Sequence, residues 1–213
     1  MIKIFKGRNA ICLILGLIVF KGFLKGEIVD RIVSVVNGEV ITLLDVKVVQ
    51  RFSLFTEEGN EPSEDTYQES LEYLINLKIV MTMVAEKVVV SNEEVDSLFQ
   101  KITMEIGLEE MEKRMFELGL DEEALKLYLR EKIFYEKIIS QRFSGGIRIA
   151  LSELEDYYRE KYIPQRKELD LEVLPLVDVL DEVEALIRKD KISKLKAEWL
   201  AILRKQADIM VNK

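Results

Sequence analysis

The sequence predicts a mainly α-helical fold closed by a small antiparallel sheet. Helix formers such as Leu, Ile, Lys and Glu dominate, with only ten glycines and three prolines in 213 residues. Capping residues recur ahead of apolar residues spaced three and four apart, which marks successive helices. Two β-branched runs flank Asn37-Gly38, in V-S-V-V-N-G-E-V-I-T from Val33 to Thr42. Both turn positions of such a hairpin need positive φ, which Asn and Gly tolerate best.

Thr42 and Asp45 form a capping box for a helix expected to reach about Phe55. Gly59 and Pro62 place a loop from Glu57 to Asp65. Thr66 and Glu69 open a long helix carrying Leu71, Leu74, Ile75, Ile79, Met83 and Val84. Ser91 and Glu94 cap the next, whose apolar stripe is Val95, Leu98, Phe99, Ile102 and Ile106, ended by Gly107. A short helix from Glu109 stops at Gly119, and Asp121 opens a long one reaching Phe143, before Gly145-Gly146. Ser152 and Glu155 are expected to cap a helix that stops before Pro164. Leu169 to Leu174 alternate loosely, like a short strand. The final helix is expected to start at Asp181 or Lys191 and to reach Gln206, with Leu195, Trp199, Ile202 and Leu203 as its buried stripe. Ala207 to Val211 is expected to be a last strand that joins the hairpin.

Composition excludes several chemistries. The chain has no histidine and one cysteine, Cys12. Nucleophilic sites built on histidine, histidine metal sites, an intrachain disulfide and thiolate metal clusters are therefore ruled out, and no metal or cofactor is implied. The formal net charge is −8, although the first 26 residues carry five bases and no acid. The remainder is thus strongly acidic and repels phosphate backbones, so nucleic acid is a poor candidate partner.

Residues 1–26 read as a secretory signal peptide. Lys3, Lys6 and Arg8 precede an unbroken apolar run from Ala10 to Phe20, with small residues at Gly22 and Gly26. The run is short for a membrane span. Cleavage after Gly26 and a periplasmic or otherwise exported product are expected; an uncleaved anchor in the cytoplasmic membrane is the alternative.

The stretch V-D-R-I-V-S-V-V-N-G-E-V-I-T-L-L-D-V, Val29 to Val46, resembles the start of the mature SurA family of periplasmic chaperones, which includes the foldase PrsA. The likeness continues in order through Leu74 to Val80, Val88 to Asp96, Leu108 to Met115 and Leu129 to Ile133. It resumes in G-I-R-I-A-L-S-E-L-E-D-Y-Y, Gly146 to Tyr158, and in K-A-E-W-L-A-I-L-R-K-Q-A-D-I-M-V, Lys196 to Val211. In that family, parvulin prolyl-isomerase domains separate the helical module from its C-terminal helix. Here only residues 164–190 fill that place, and parvulin sites normally include histidines, which this chain lacks. The resemblance implies a helical chaperone module (27–163), a short remnant or linker (164–190), and a helix and strand (191–213) that complete the module. The implied function is ATP-independent holding of unfolded exported or outer-membrane proteins, without isomerase activity. The alternatives are a scaffold dedicated to one envelope partner or to self-association and, against the lack of histidine, a minimal isomerase.

A surface for unfolded chains must be apolar and adaptable. Five of the seven methionines fall between Met81 and Met115, and flexible thioethers suit such a surface. Met104, Met111 and Met115, with Phe116, Tyr128 and Phe134, are the candidate peptide-binding residues. Filling core gaps is the competing role for each. The pairs Glu93-Glu94, Glu109-Glu110 and Glu122-Glu123 lie in first turns of helices, where the macrodipole favours negative charge, so they read as capping residues rather than catalytic carboxylates.

Overall fold

In a computed structural model, residues 30–55, 66–84, 87–143 and 145–212 are described. The expected leader and the whole of the expected 57–65 loop lie outside those residues. Strands β1 (Ile32–Val36) and β2 (Glu39–Thr42) form the hairpin, and β3 (Ile209–Val211) joins it. The helices are α1 (Leu43–Arg51), α2 (Thr66–Met83), α3 (Asn92–Ile106), α4 (Leu108–Leu118), α5 (Glu122–Phe143), α6 (Leu151–Tyr157), α7 (Ile163–Glu168) and α8 (Leu180–Arg204). The fold is mainly helical with one small antiparallel sheet, ordered β2-β1-β3.

The turn at Asn37 (φ 50°) and Gly38 (φ 87°) has the positive dihedrals that its sequence predicts. Asn37 also holds distant segments together. Its amide N–H donates to the Asp208 carbonyl at 2.8 Å, and its side-chain oxygen accepts from the Asp208 N–H at 2.8 Å. Its side-chain NH₂ donates to Thr82 Oγ1 on α2 at 2.8 Å. Along β1, Ser34 pairs with Val211, Val35 with Met210 and Val36 with Ile209. The Ser34 hydroxyl, fully buried, donates to the Met210 carbonyl at 2.9 Å. The two ends of the described chain are thus one sheet, as expected.

Both capping boxes form. Thr42 Oγ1 accepts from the Asp45 N–H at 3.2 Å while the Asp45 carboxylate accepts from the Thr42 N–H at 2.7 Å. Ser91 and Glu94 repeat the arrangement at 3.2 and 2.9 Å. Gly119 ends α4 in the left-handed conformation, at φ 67°.

Helix α2 is the hub. It packs on α1, α5, α8 and both hairpin strands, and Ser70, Leu71, Leu74, Ile75, Leu77, Ile79 and Val80 are all buried. A helix buried on most sides loses the one-sided stripe of a surface helix. Lys78 on α2 pairs with Glu131 on α5 at 2.9 Å. Arg204, at the end of α8, donates to Glu72 at 2.5 Å and to Asn76 at 3.1 Å on α2.

The segment from Ala150 to Arg204 departs from expectation in four respects. First, α6 starts at Leu151, and the Glu153 carboxylate, not Ser152, answers the open Ala150 N–H at 2.9 Å. Second, the chain does not leave the helix before Pro164. A π-helical turn at Tyr158–Tyr162 leads directly into α7, which has Pro164 in its first turn. Proline has no N–H and its ring crowds the carbonyl four residues back; the wider π turn relieves both conflicts. Third, Leu169 to Leu174 form no strand; Leu169 and Leu171 are exposed, and the Arg166 guanidinium binds the Glu172 carbonyl at 2.8 Å. An exposed segment with no strand beside it cannot satisfy a ladder. Fourth, the end of the expected remnant or linker, 164–190, packs into a core. Val179, Val183 and Ile187, four residues apart, are buried with Leu154 and Tyr162 in a second apolar cluster. One continuous helix therefore crosses the expected boundary at Lys191.

The buried side of α8 matches the expected stripe in part: Trp199 and Leu203 pack on the main core. Leu195 and Ile202 are 41% and 55% exposed, whereas Leu200 is 7% exposed. Trp199 does anchor the helix on α5, edge-on to Phe143 at 5.7 Å and beneath the Arg142 guanidinium at 4.7 Å. Leu200→Ala is expected to lower unfolding stability by about 2–5 kcal/mol, and Ile202→Ala to change it by less than about 0.5 kcal/mol. Urea denaturation of both variants checks the assignment; equal losses would mean that Ile202, not Leu200 alone, faces the core.

Candidate functional site

The return of α8 across α2 and α5 leaves a groove of about 870 Å³ among the three helices. Its apolar lining comes from Leu54 and Phe55 after α1, Tyr73 on α2, Tyr135 and Ile139 on α5, and Ile192 and Leu200 on α8. Tyr73 and Tyr135 meet edge-to-face at 5.7 Å. Polar and charged side chains complete the lining: Glu69, Glu72 and Asn76 from α2, Lys132, Glu136 and Ser140 from α5, and Arg188, Lys189, Ser193 and Lys196 from α8. An acidic wall on α2 therefore faces a basic wall on α8.

Internal bonds fix much of this lining. Lys132 Nζ donates to the Leu54 carbonyl at 2.9 Å and pairs with Glu136 at 2.6 Å. Arg188 pairs with Glu184 at 2.7 Å, and Glu72 is held by Arg204. The Tyr73 phenol is pushed far above its ordinary range, first by burial and then by the Glu136 carboxylate. It stays neutral and can donate a hydrogen bond. A mostly apolar concavity with a few fixed polar groups is the usual form of a binding site. The volume, openness to a chain and mixed charge suit a peptide segment.

None of the six candidate residues from the sequence lines this groove. Met104 and Phe116 are surface residues, 82% and 87% exposed, on the outward sides of α3 and α4. Met111 is a correction: it is completely buried in the main core. With Met115 and Leu118 it forms an i, i+4, i+7 row on the inward side of α4, and helical geometry directs that row at the core. Met115 and Phe134 are half-buried and pack on the same core. Tyr128 serves the scaffold, its hydroxyl donating to Asp45 Oδ1 at 2.7 Å and tying α5 to the α1 capping box. The methionine-rich interval is therefore divided between core and surface.

The groove residues carry a weaker sequence signal. Tyr73 lies beside the Leu71–Leu74–Ile75 row rather than in it, and packs on the main core from that margin. Only the position of α8 turns that margin into a lining. The acid pairs behave as capping and pairing groups: Glu94 caps α3, Glu110 pairs with Arg114 at 2.8 Å, and Glu122 pairs with Lys126 at 2.7 Å.

Comparison with protein-family models gives no match for this chain, and comparison with curated proteins gives none. Among the described residues no helix is long and apolar enough to cross a membrane.

Glu94 has a pH consequence. Its carboxyl is held below the usual range, first by the hydrogen bond from Lys137 and then by the Ser91 backbone N–H. A depressed folded pKa contributes stability above the unfolded value and loses it as pH falls through the folded value. Glu94→Gln is therefore expected to lower the melting temperature at neutral pH, with the gap to wild type closing in strong acid. Melting curves across pH check this; a gap that persists unchanged in acid would remove the carboxylate from the account.

Proposed function

We propose that this chain is an exported, ATP-independent holdase, a SurA-like chaperone module without a parvulin domain, and that the groove between α2, α5 and α8 holds segments of unfolded polypeptide. The observation that carries the reading is the groove itself: an apolar concavity of about 870 Å³ bounded by opposite charges. An unfolded chain offers apolar side chains to such a lining and a polar main chain to its edges. Binding of this kind needs differential contact with unfolded segments rather than bond chemistry, so we assign the chain no catalytic role. The ordered resemblance of Val29 to Val46 and of Lys196 to Val211 to the SurA family supports the same reading. So does the closure of the chain's ends into one sheet, which that resemblance implies. The basic, apolar start of the sequence supports export.

The test is light scattering of several unrelated aggregating proteins, with outer-membrane proteins among them, in the presence of the purified chain and without ATP. Protection of several clients is expected. Protection of a single client would favour the dedicated scaffold, and protection of none would overturn the holdase reading. In a proline-peptide assay the chain is expected to leave exchange at its uncatalysed rate, over tens of seconds.

A further inference from the structure

The sheet has one open edge, and the hydrogen bonds to β1 fix what that edge presents. The Asp208 carbonyl accepts from the Asn37 N–H, and the Asn212 N–H donates to the Val33 carbonyl. Asp208, Met210 and Asn212 therefore turn their main chain towards β1. Main-chain groups alternate in direction along a strand, so the N–H and C=O of Ile209 and Val211 point away from β1. No strand pairs with that side of β3 among the described residues. Native edges are usually blunted by charge, proline or a bulge. The side chains of β3 are Ile209, Met210 and Val211, and its register with β1 is regular. The opposite edge is treated differently: on β2 the outward Thr42 N–H is taken by the Asp45 carboxylate at 2.7 Å, and Glu39 places a charge at the strand's start.

The outer face of the sheet leads to the same edge. Ile209 packs on the main core, so Met210 lies on the opposite, outward face. The register sets Met210 beside Val35, and Val35 beside Val40. Met210 is 55% exposed and Val40 43% exposed. An apolar row thus crosses the outer face and stops at the open edge. The edge is also symmetric about Met210, with one outward-pointing residue on each side. Such a surface is its own complement under a two-fold axis, which is the form of an isologous interface.

We infer that β3 pairs antiparallel with β3 of a second copy of this chain, about a two-fold axis at Met210. In that register Ile209 of one copy exchanges both main-chain hydrogen bonds with Val211 of the other, and the reverse pair does the same. The two Met210 residues stand directly opposite as the close, non-hydrogen-bonded pair. The row of Val40, Val35 and Met210 then continues without a break into the same row of the second copy. Three residues a side is far fewer than the roughly 20–30 of a standard interface, so the pair is weak and reversible. It does not depend on what the groove holds.

Sedimentation velocity of the purified chain from micromolar to millimolar concentration tests this. Wild type is expected to pass reversibly from monomer to dimer. Val211→Pro removes an N–H that points outwards and leaves the bonds to β1 in place, and proline is tolerated at such an edge position. That variant is expected to stay monomeric, with a melting temperature close to that of wild type. Met210→Lys and Met210→Glu each set like charges opposite one another across the axis. Each is expected to be monomeric alone, and the two are expected to form a mixed dimer when combined, because opposite charges then face each other. The mixed dimer decides the matter even where Val211→Pro also melts lower. A wild type that stays monomeric throughout, a dimer that survives Val211→Pro, or the absence of a mixed dimer would each overturn the inference. Binding of an extended apolar peptide to a monomeric wild type, lost in Val211→Pro, would overturn it too, by giving the edge to a client strand.

Discussion

The structure depends on β1 having a partner on both sides. A two-stranded hairpin of this length is marginal in water. Here β3 arrives from the far end of the chain and satisfies the second edge of β1, with Asn37 and Asp208 exchanging two hydrogen bonds at the hairpin turn. Because β3 follows α8 after a short turn, this pairing also fixes where α8 lies. Arg204 then locks the end of α8 to Glu72 and Asn76 on α2. The groove is the space left between a helix placed by the sheet and two helices placed by the main core. Its existence is thus a consequence of closure at the ends, not of any local motif.

The same constraint explains how the two apolar clusters coexist. Helix α8 is long enough to serve both: Val183 and Ile187 near its start belong to the small cluster around Leu154 and Tyr162, while Leu200 belongs to the main core. The groove lining on α8 begins at Ala185 and ends at Leu200, the interval in which the helix passes from one cluster to the other. Residues 164–190 therefore do structural work in supporting the start of α8. A chain that carried a large insertion in this place would have to rebuild that support.

Local chemistry made most of the fold legible. Asn37-Gly38, the Thr42 and Ser91 capping boxes, and the glycines at 107, 119 and 146 each impose a backbone conformation that neighbouring residues cannot override cheaply. The closing strand was legible too, because a short apolar run after an amphipathic helix has nowhere else to satisfy its backbone. What escaped the sequence was set by tertiary packing. Pro164 reads as a stop, and only the π turn before it lets the helix continue. The Leu195–Trp199–Ile202–Leu203 stripe reads as one face, and Trp199 and Leu203 do pack on the main core, yet Leu195 and Ile202 are exposed and the buried position between them is Leu200. The groove residues were the least legible. Flexible methionines signal adaptability but not exposure, so Met104 and Met111 look alike in sequence and differ completely in burial. Tyr73 and Ile192 are ordinary helix residues until α8 brings them to one groove.

The central claim is that unfolded polypeptide is held in this groove and not on the exposed outer faces of α3 and α4. Site-specific photo-crosslinking distinguishes the two most directly, with a photoreactive side chain placed in turn at Ile192, Met104 and Phe116 and an unfolded outer-membrane protein as client. The account predicts a crosslinked adduct from Ile192 that an excess of unlabelled client removes, and none above background from Met104 or Phe116. Adducts from Met104 and Phe116 with none from Ile192 would contradict it.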